Sequence, residues 1–136
     1  MRTFRRILCP VDFSRVSVPA IELTLDLASQ SGGQVLLFCA VPPPDADQSR
    51  QELERSATDQ LRAIARKWLE SHVPCEIVVR FGEPAASILD AEKELRVDAV
   101  VMATHGRTGA EYVTLGSVTE RVVRESICPV ITTRPH

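Results

Sequence analysis

Every residue of Val35-Leu-Leu-Phe-Cys-Ala-Val41 is apolar. A run of that length without polar alternation reads as a strand covered on both faces. Ala99-Val-Val-Met, after Asp98, reads the same way. Strands of this kind belong in parallel sheets, and parallel neighbours need crossover helices. The chain supplies them. Arg6 to Val11 predicts a first strand, with Pro10 near its end, where no ladder donor is needed. A helix is expected from about Ser17 to Ser31, with Ser17 as N-cap, Pro19 in the first turn, and Ile21, Leu25 and Ala28 facing inward; Gly32-Gly33 ends it. Three prolines, Pro42 to Pro44, stop the second strand. A long helix from near Ser49 to Ser71 then carries Leu53, Ala57, Leu61, Ile64, Ala65 and Trp68 on its inner stripe. Cys75 to Phe81 is a third strand, Pro84 to about Glu94 a helix with Ile88, Ala91 and Leu95 inward, and Val130 to Thr133 a fifth strand. Strands and helices alternate throughout, so one open α/β parallel sheet is expected, as a single domain over residues 1–136.

The stretch between the fourth strand and the last helix carries the functional signal. Ala103-Thr-His105-Gly106 follows the strand, and after nine further residues come Gly116 and Ser117. Val118 and Val122 then repeat at helical spacing, with Glu120 and Arg124 as an i,i+4 pair. Gly106 permits positive φ and close approach of a ligand to the backbone. Gly116-Ser117 opens a helix whose first amides have no intrahelical acceptor, which makes an anion site. Strand, glycine loop and helix start together suggest a phosphate cradle. No Gly-Lys-Ser/Thr follows Gly106-Arg107-Thr-Gly109, so this is no P-loop, and no G-x-G-x-x-G follows a strand. A purely structural reading stands beside it, in which the glycines serve turns and tight helix–strand packing.

The spacing resembles the ATP-binding branch of the universal stress protein family. That branch carries Gly, two residues, Gly, nine residues, then Gly-Ser/Thr between its fourth strand and last helix. Here Ala103 stands at the first glycine, and Gly106, Gly116 and Ser117 match the rest. The resemblance spans nearly the whole chain, from Ile7-Leu-Cys-Pro10-Val11-Asp12-Phe-Ser14 to Cys128-Pro-Val130-Ile131. It implies a Rossmann-like sheet of order 3-2-1-4-5, with the ligand outside the carboxyl ends of strands one and four. Pro10, Val11 and Asp12 end the first of these strands and Ala103 the other. Asp12 would contact the adenosine part of a nucleotide, with a local turn role as the alternative reading of a carboxylate there. Val41 would offer main-chain groups to the adenine edge, and His105 would lie beside the nucleotide. Gly106, Gly116 and Ser117, with Val118 and Thr119 in the first turn, would receive the phosphates. The hydroxyls of Ser117 and Thr119 would serve as donors, and Arg107 or Arg121 as a source of charge. The family glycine at Ala103 has two readings. If that position needs positive φ, alanine costs about 1 kcal/mol; if glycine only makes room for the ribose, a methyl is tolerated. The resemblance further implies ATP with Mg²⁺ or Mn²⁺ held mainly through the phosphates, and a homodimer through Val130, Ile131, Thr132 and Thr133.

Composition narrows the alternatives. Sixteen basic and 18 acidic residues leave a net charge of −2 with no basic cluster, which argues against nucleic acid as a partner. The basic Met1-Arg-Thr-Phe-Arg-Arg start lacks a secretory apolar segment, and no apolar run is long enough to span a bilayer, so a cytoplasmic protein is expected. Cys9, Cys39, Cys75 and Cys128 show no C-x-x-C spacing and read as reduced core thiols rather than zinc ligands. His105 has no sequence neighbour to orient it as a base, so no acid–base pair is assigned. The expected function is an ATP-binding stress-response module acting by nucleotide-dependent conformation or partner docking. The alternatives are a nucleotide-independent dimeric interaction protein and a slow ATPase or phosphotransferase.

Overall fold

The computed structural model describes residues 3–105 and 115–134. Gly106 and Arg107, expected at the phosphates, lie outside the described residues. Five strands, β1 (Arg6–Pro10), β2 (Gln34–Val41), β3 (Cys75–Phe81), β4 (Ala99–Ala103) and β5 (Val130–Thr133), form one sheet. Its order is β3-β2-β1-β4-β5, and every pairing is parallel. Four helices connect them: α1 (Val18–Ser31), α2 (Arg50–Ile64), α3 (Pro84–Glu94) and α4 (Ser117–Glu125).

The apolar runs are continuous because successive residues serve two different cores. Ile7, Cys9, Val35, Leu37 and Cys39 face α1 and α2, packing on Ala20, Ile21, Ala28 and Leu61. Leu8, Leu36, Phe38, Val100 and Met102 face the other way, onto Ile88, Ala91 and Val122 of α3 and α4. Both faces of the central strands are therefore removed from water, which is what a parallel sheet demands. At the amino end of the sheet, Asp98 Oδ2 accepts from the amides of both Arg5 and Arg6 at 2.9 Å, tying β4 to β1.

Two helices differ from expectation, one at its start and one at its end. A 3₁₀ turn over Arg15–Ser17 precedes α1, and the Ser17 side chain caps no amide there. Its hydroxyl instead points to Asp12, as described below. In the second helix the α-helical part ends at Ile64, and a π turn covers Ala65–Leu69. The additional residue in a π turn advances the inward stripe by one position. Leu69 is thereby fully buried, while Ile64 and Trp68 pack only at the edge of the core. Ser49 Oγ accepts from Glu52 N at 3.3 Å at the start of α2. At the other end of α1, Gly32 adopts φ 68°, the left-handed conformation that commonly follows a helix. Among the described residues no helix is long and apolar enough to cross a membrane.

Candidate functional site

The carboxyl ends of β1 and β4 face the start of α4 across a cavity of about 300 Å³. Its walls are built from three segments.

The first segment leaves β1. Val11 N donates to Phe38 O at 2.8 Å, which extends the β1–β2 pairing to the cavity's edge. Asp12 Oδ1 then accepts from Ser14 N at 3.0 Å, Ser14 Oγ at 2.6 Å and Ser17 Oγ at 3.4 Å. The local turn role is thus present, and Asp12 lines the cavity as well. Between them Phe13 sits at φ 67°, an uncommon conformation for a bulky side chain. Its ring packs against the core under α1 and α2.

The second segment leaves β4. Ala103 is a strand residue, and among the described residues only Phe13 and Arg96 are non-glycines at positive φ. Alanine therefore carries no backbone strain at position 103, and of the two readings of that site only the spatial one applies. Ala103 is among the residues that line the cavity. Thr104 N donates to Thr133 O at 2.8 Å, and the buried His105 ring meets Thr104 Oγ1 through Nδ1 at 3.1 Å.

The third segment starts α4. Gly116 is its N-cap, at φ −65° and ψ 159°, and no side chain caps the helix. Gly116 N donates to Thr104 O at 2.8 Å, so the two ends of the loop are held together. A Cβ at Gly116 would lie 3.2 Å from that same carbonyl oxygen and 3.5 Å from His105 Cα. Glycine eases this close approach, since a Cβ would fit only if the Thr104 carbonyl gave way by a few tenths of an ångström. The next turn is anchored by Thr119 Oγ1, which donates to Ala103 O at 2.8 Å. That spends the hydroxyl proton expected to meet a phosphate, so Thr119 joins strand to helix instead. Ser117 stays exposed at the rim.

Of the expected residues, Pro10, Val11, Asp12, Ala103, His105, Gly116, Ser117, Val118 and Thr119 line this one cavity. Val41 does not. Strand alternation puts it on the α1–α2 face, and its carbonyl oxygen accepts from Gly82 N at 2.9 Å. Phe38 and Ala40, on the other face, form that wall with Ile88 and Met102. Arg121 is engaged by Glu83 at 2.9 Å and Glu125 at 3.0 Å.

Two carboxylates escaped the sequence reading. Glu83 caps α3, accepting from Ala86 N at 2.9 Å and Ala85 N at 3.1 Å. The Ala86 amide, then the Ala85 amide and Arg121, hold its carboxyl below the usual carboxylate range. Glu92 is buried, accepting from Ser126 Oγ at 2.6 Å and Ile127 N at 2.7 Å. Its place four residues after Ile88, on the apolar face of α3, was the available signal. Among the described residues no three His, Cys, Asp or Glu side chains cluster as a metal site, and the four cysteines form no disulfide. Burial pushes the Cys9 thiol up to about 12 and the Cys75 thiol up to about 11, which makes both poor nucleophiles.

Comparison with known proteins gives a consistent result. The model of the universal stress protein family matches residues 3–134. Universal stress protein MJ0531 of Methanocaldococcus jannaschii is 28% identical over 137 residues, 94% of this chain and 81% of that one. The solved structure of MJ0577 from the same organism superposes with a TM-score of 0.86 at 22% identity, covering 96% of both chains. A family member from Arabidopsis thaliana, solved with AMP bound, gives a TM-score of 0.73 at 24% identity, covering 97% of this chain and 92% of that one.

Proposed function

The chain belongs to the universal stress protein family, and from that premise we propose that the cavity between β1, β4 and α4 binds an adenine nucleotide, ATP in particular. The observation that carries the reading is the start of α4: an uncapped helix end opening on the cavity, closed on Thr104 by a glycine. Amides at such an end attract negative charge, and the helix dipole adds to the attraction. Phosphates would lie against the amides of Ser117 and Val118 and the Ser117 hydroxyl, with Gly106 and Arg107 completing the cradle. Phe38, Ile88 and Met102 give the cavity the apolar surface that a flat heterocycle needs. The AMP held by the Arabidopsis relative supports an adenine ligand. A Mg²⁺ or Mn²⁺ ion would be held by phosphate oxygens and water, the usual habit of a small hard cation.

Bound nucleotide would act by conformation. It favours whichever arrangement of the protein it binds better, and a partner or a second copy would read that arrangement. Pairing of β5, the edge strand Val130–Thr133, with its counterpart is the proposed dimer contact, and light scattering that returned a monomer would count against it. A second reading, an interaction protein that needs no nucleotide, is favoured by one observation: an alanine lines the cavity at position 103, where the family pattern has glycine.

Calorimetric titration of ATP with Mg²⁺ into nucleotide-stripped protein tests the proposal. Micromolar binding that is lost in Gly116→Glu, whose side chain would enter the cradle, is the expected result. Neither heat nor thermal stabilisation with millimolar ATP would overturn it in favour of the second reading. Phosphate release above the Gly116→Glu control would show turnover in addition to binding.

A further inference from the structure

The other edge of the sheet is β3, and its sequence, Cys75-Glu-Ile-Val-Val-Arg-Phe81, has a symmetry of its own. Glu76 and Arg80 stand equidistant from Val78, and so do Ile77 and Val79. Val35 N donates to Pro74 O and Gly82 N to Val41 O, each at 2.9 Å. With two-residue alternation between them, the even-numbered residues of β3 turn their main chain toward β2. Ile77 and Val79, with Cys75 and Phe81, turn theirs away from the sheet. We propose that this edge pairs with β3 of a second copy, antiparallel, about a two-fold axis at Val78.

The register follows from the hydrogen-bonding groups. Ile77 and the partner's Val79 are both outward-facing, so they form a pair that exchanges both main-chain bonds, and the axis repeats it. Glu76 and the partner's Arg80 then fall opposite one another in a pair without main-chain bonds, where side chains approach most closely. A slip of one residue would destroy both matches. Arg80 is already placed for the exchange. Its Nη1 donates to Val79 O at 3.2 Å, and Nη2 lies 3.9 Å from Glu94. The partner's Ile77 amide takes over that carbonyl, and the guanidinium turns to the partner's Glu76.

A second charge pair on the opposite face obeys the same axis. Glu54, Thr58 and Arg62 of α2 line the groove along β3 together with Glu76 to Arg80. α2 runs against β3: Arg50, at its start, lies 4.1 Å from the ring of Phe81, at the end of the strand. Glu54 and Arg62 are equidistant from Thr58 and separated by about 12 Å of helix. Glu76 and Arg80 are separated by about 13 Å of strand. An axis that places Glu76 opposite the partner's Arg80 therefore also brings Glu54 toward the partner's Arg62. Charges on an edge strand ordinarily repel other edges; here both sets become attractive in one register. Because β5 lies at the far edge, this contact leaves it unobstructed.

Sedimentation velocity on the whole chain tests this with two charge reversals. Glu76→Arg makes the strand's charges wholly basic and Arg80→Glu makes them wholly acidic, so each variant should lose the association through β3 that the wild type shows as concentration rises, and sediment as a smaller species than the wild type. An equimolar mixture of the two restores opposite charges at every position and should regain the wild-type mass. The double variant Glu76→Arg/Arg80→Glu should match the wild type, and added salt should weaken all of these associations. Wild type and both variants sedimenting alike, or a mixture that sediments as the average of its parts, would overturn the proposal and leave the charges as edge protection. Any β5 contact is common to all samples and cannot produce the pattern.

Discussion

Helices α3 and α4 stand side by side on one face of the sheet, and both begin at the same cavity, yet their first turns are finished differently. α3 brings its own anion: the Glu83 carboxylate accepts from the Ala85 and Ala86 amides. α4 has no such cap, since its N-cap is Gly116, and the carboxylate of its first turn, Glu120, pairs with Arg124. The lowered pKa of Glu83 shows what a helix start on this face does to a negative charge. α3 also holds α4 in place, through Glu83 to Arg121 near the start and through Glu92 to Ser126 and Ile127 at the end. The closed helix is a brace, and the open one is the place where an outside anion fits best.

The largest effect on stability is expected at the brace. Glu92→Ala leaves Ile127 N and the Ser126 hydroxyl without their buried acceptor, which should cost about 3 kcal/mol in urea unfolding. Loss of less than about 1 kcal/mol would mean that water or a neighbour substitutes for the carboxylate. Next is the tie between strand and open helix. Thr119→Val keeps the shape but strands Ala103 O, and about 1–2 kcal/mol should be lost. Nucleotide affinity should fall as well, because α4 then moves relative to β4; an unchanged affinity would detach the tie from the site.

Neither residue was legible in the sequence as what it is. Glu92 is a charged residue on an apolar stripe, and only the turn at Ser126–Cys128, 34 residues later, explains it. Thr119 looked like a phosphate donor because a hydroxyl in a first turn is ordinary there; its acceptor, Ala103 O, is a tertiary contact. The sheet was far more readable. Unbroken apolar runs and intervening helical periods led to strand spans that differ from the structure by a residue at most. The order β3-β2-β1-β4-β5 came from family resemblance, since right-handed crossovers alone permit other orders. The π turn at Ala65–Leu69 was invisible because the apolar pattern there fits two helical phases, one through Ile64 and Trp68 and one through Ala65 and Leu69. Val41 was expected to act through its main chain alone; its side chain lies on the α1–α2 face, its carbonyl oxygen accepts from Gly82 N, and Ala40 lines the cavity beside it.

A smaller effect is expected from opening α3. Glu83→Ala removes its cap, and about 0.5–1 kcal/mol of stability should go at neutral pH. The sign of the pH dependence follows from the lowered pKa. The unfolded chain binds this proton more readily, so the cap stabilises above the usual carboxylate range and its contribution disappears as pH falls through the lowered value. Wild type and variant should therefore converge in acid. A gap that stays constant down to the lowest pH would mean that the loss does not depend on the ionised carboxylate, so neither the charged cap nor its pair with Arg121 accounts for it.

An effect of the same small size is expected at Ala103, and it bears on the open helix directly. Were the residue held at positive φ, glycine would relieve strain and raise stability. The β4 backbone is extended there, so Ala103→Gly should instead cost roughly 0.5–1 kcal/mol, the entropy of a more flexible chain. Affinity is a separate matter. A methyl that merely narrows the cavity costs less than the 1.4 kcal/mol that equals tenfold, so ATP should bind the glycine variant no more than about tenfold tighter. A larger gain would mean that the methyl blocks the nucleotide in the natural chain. The open start of α4 would then be a feature of the fold whose ligand has been excluded by one carbon atom.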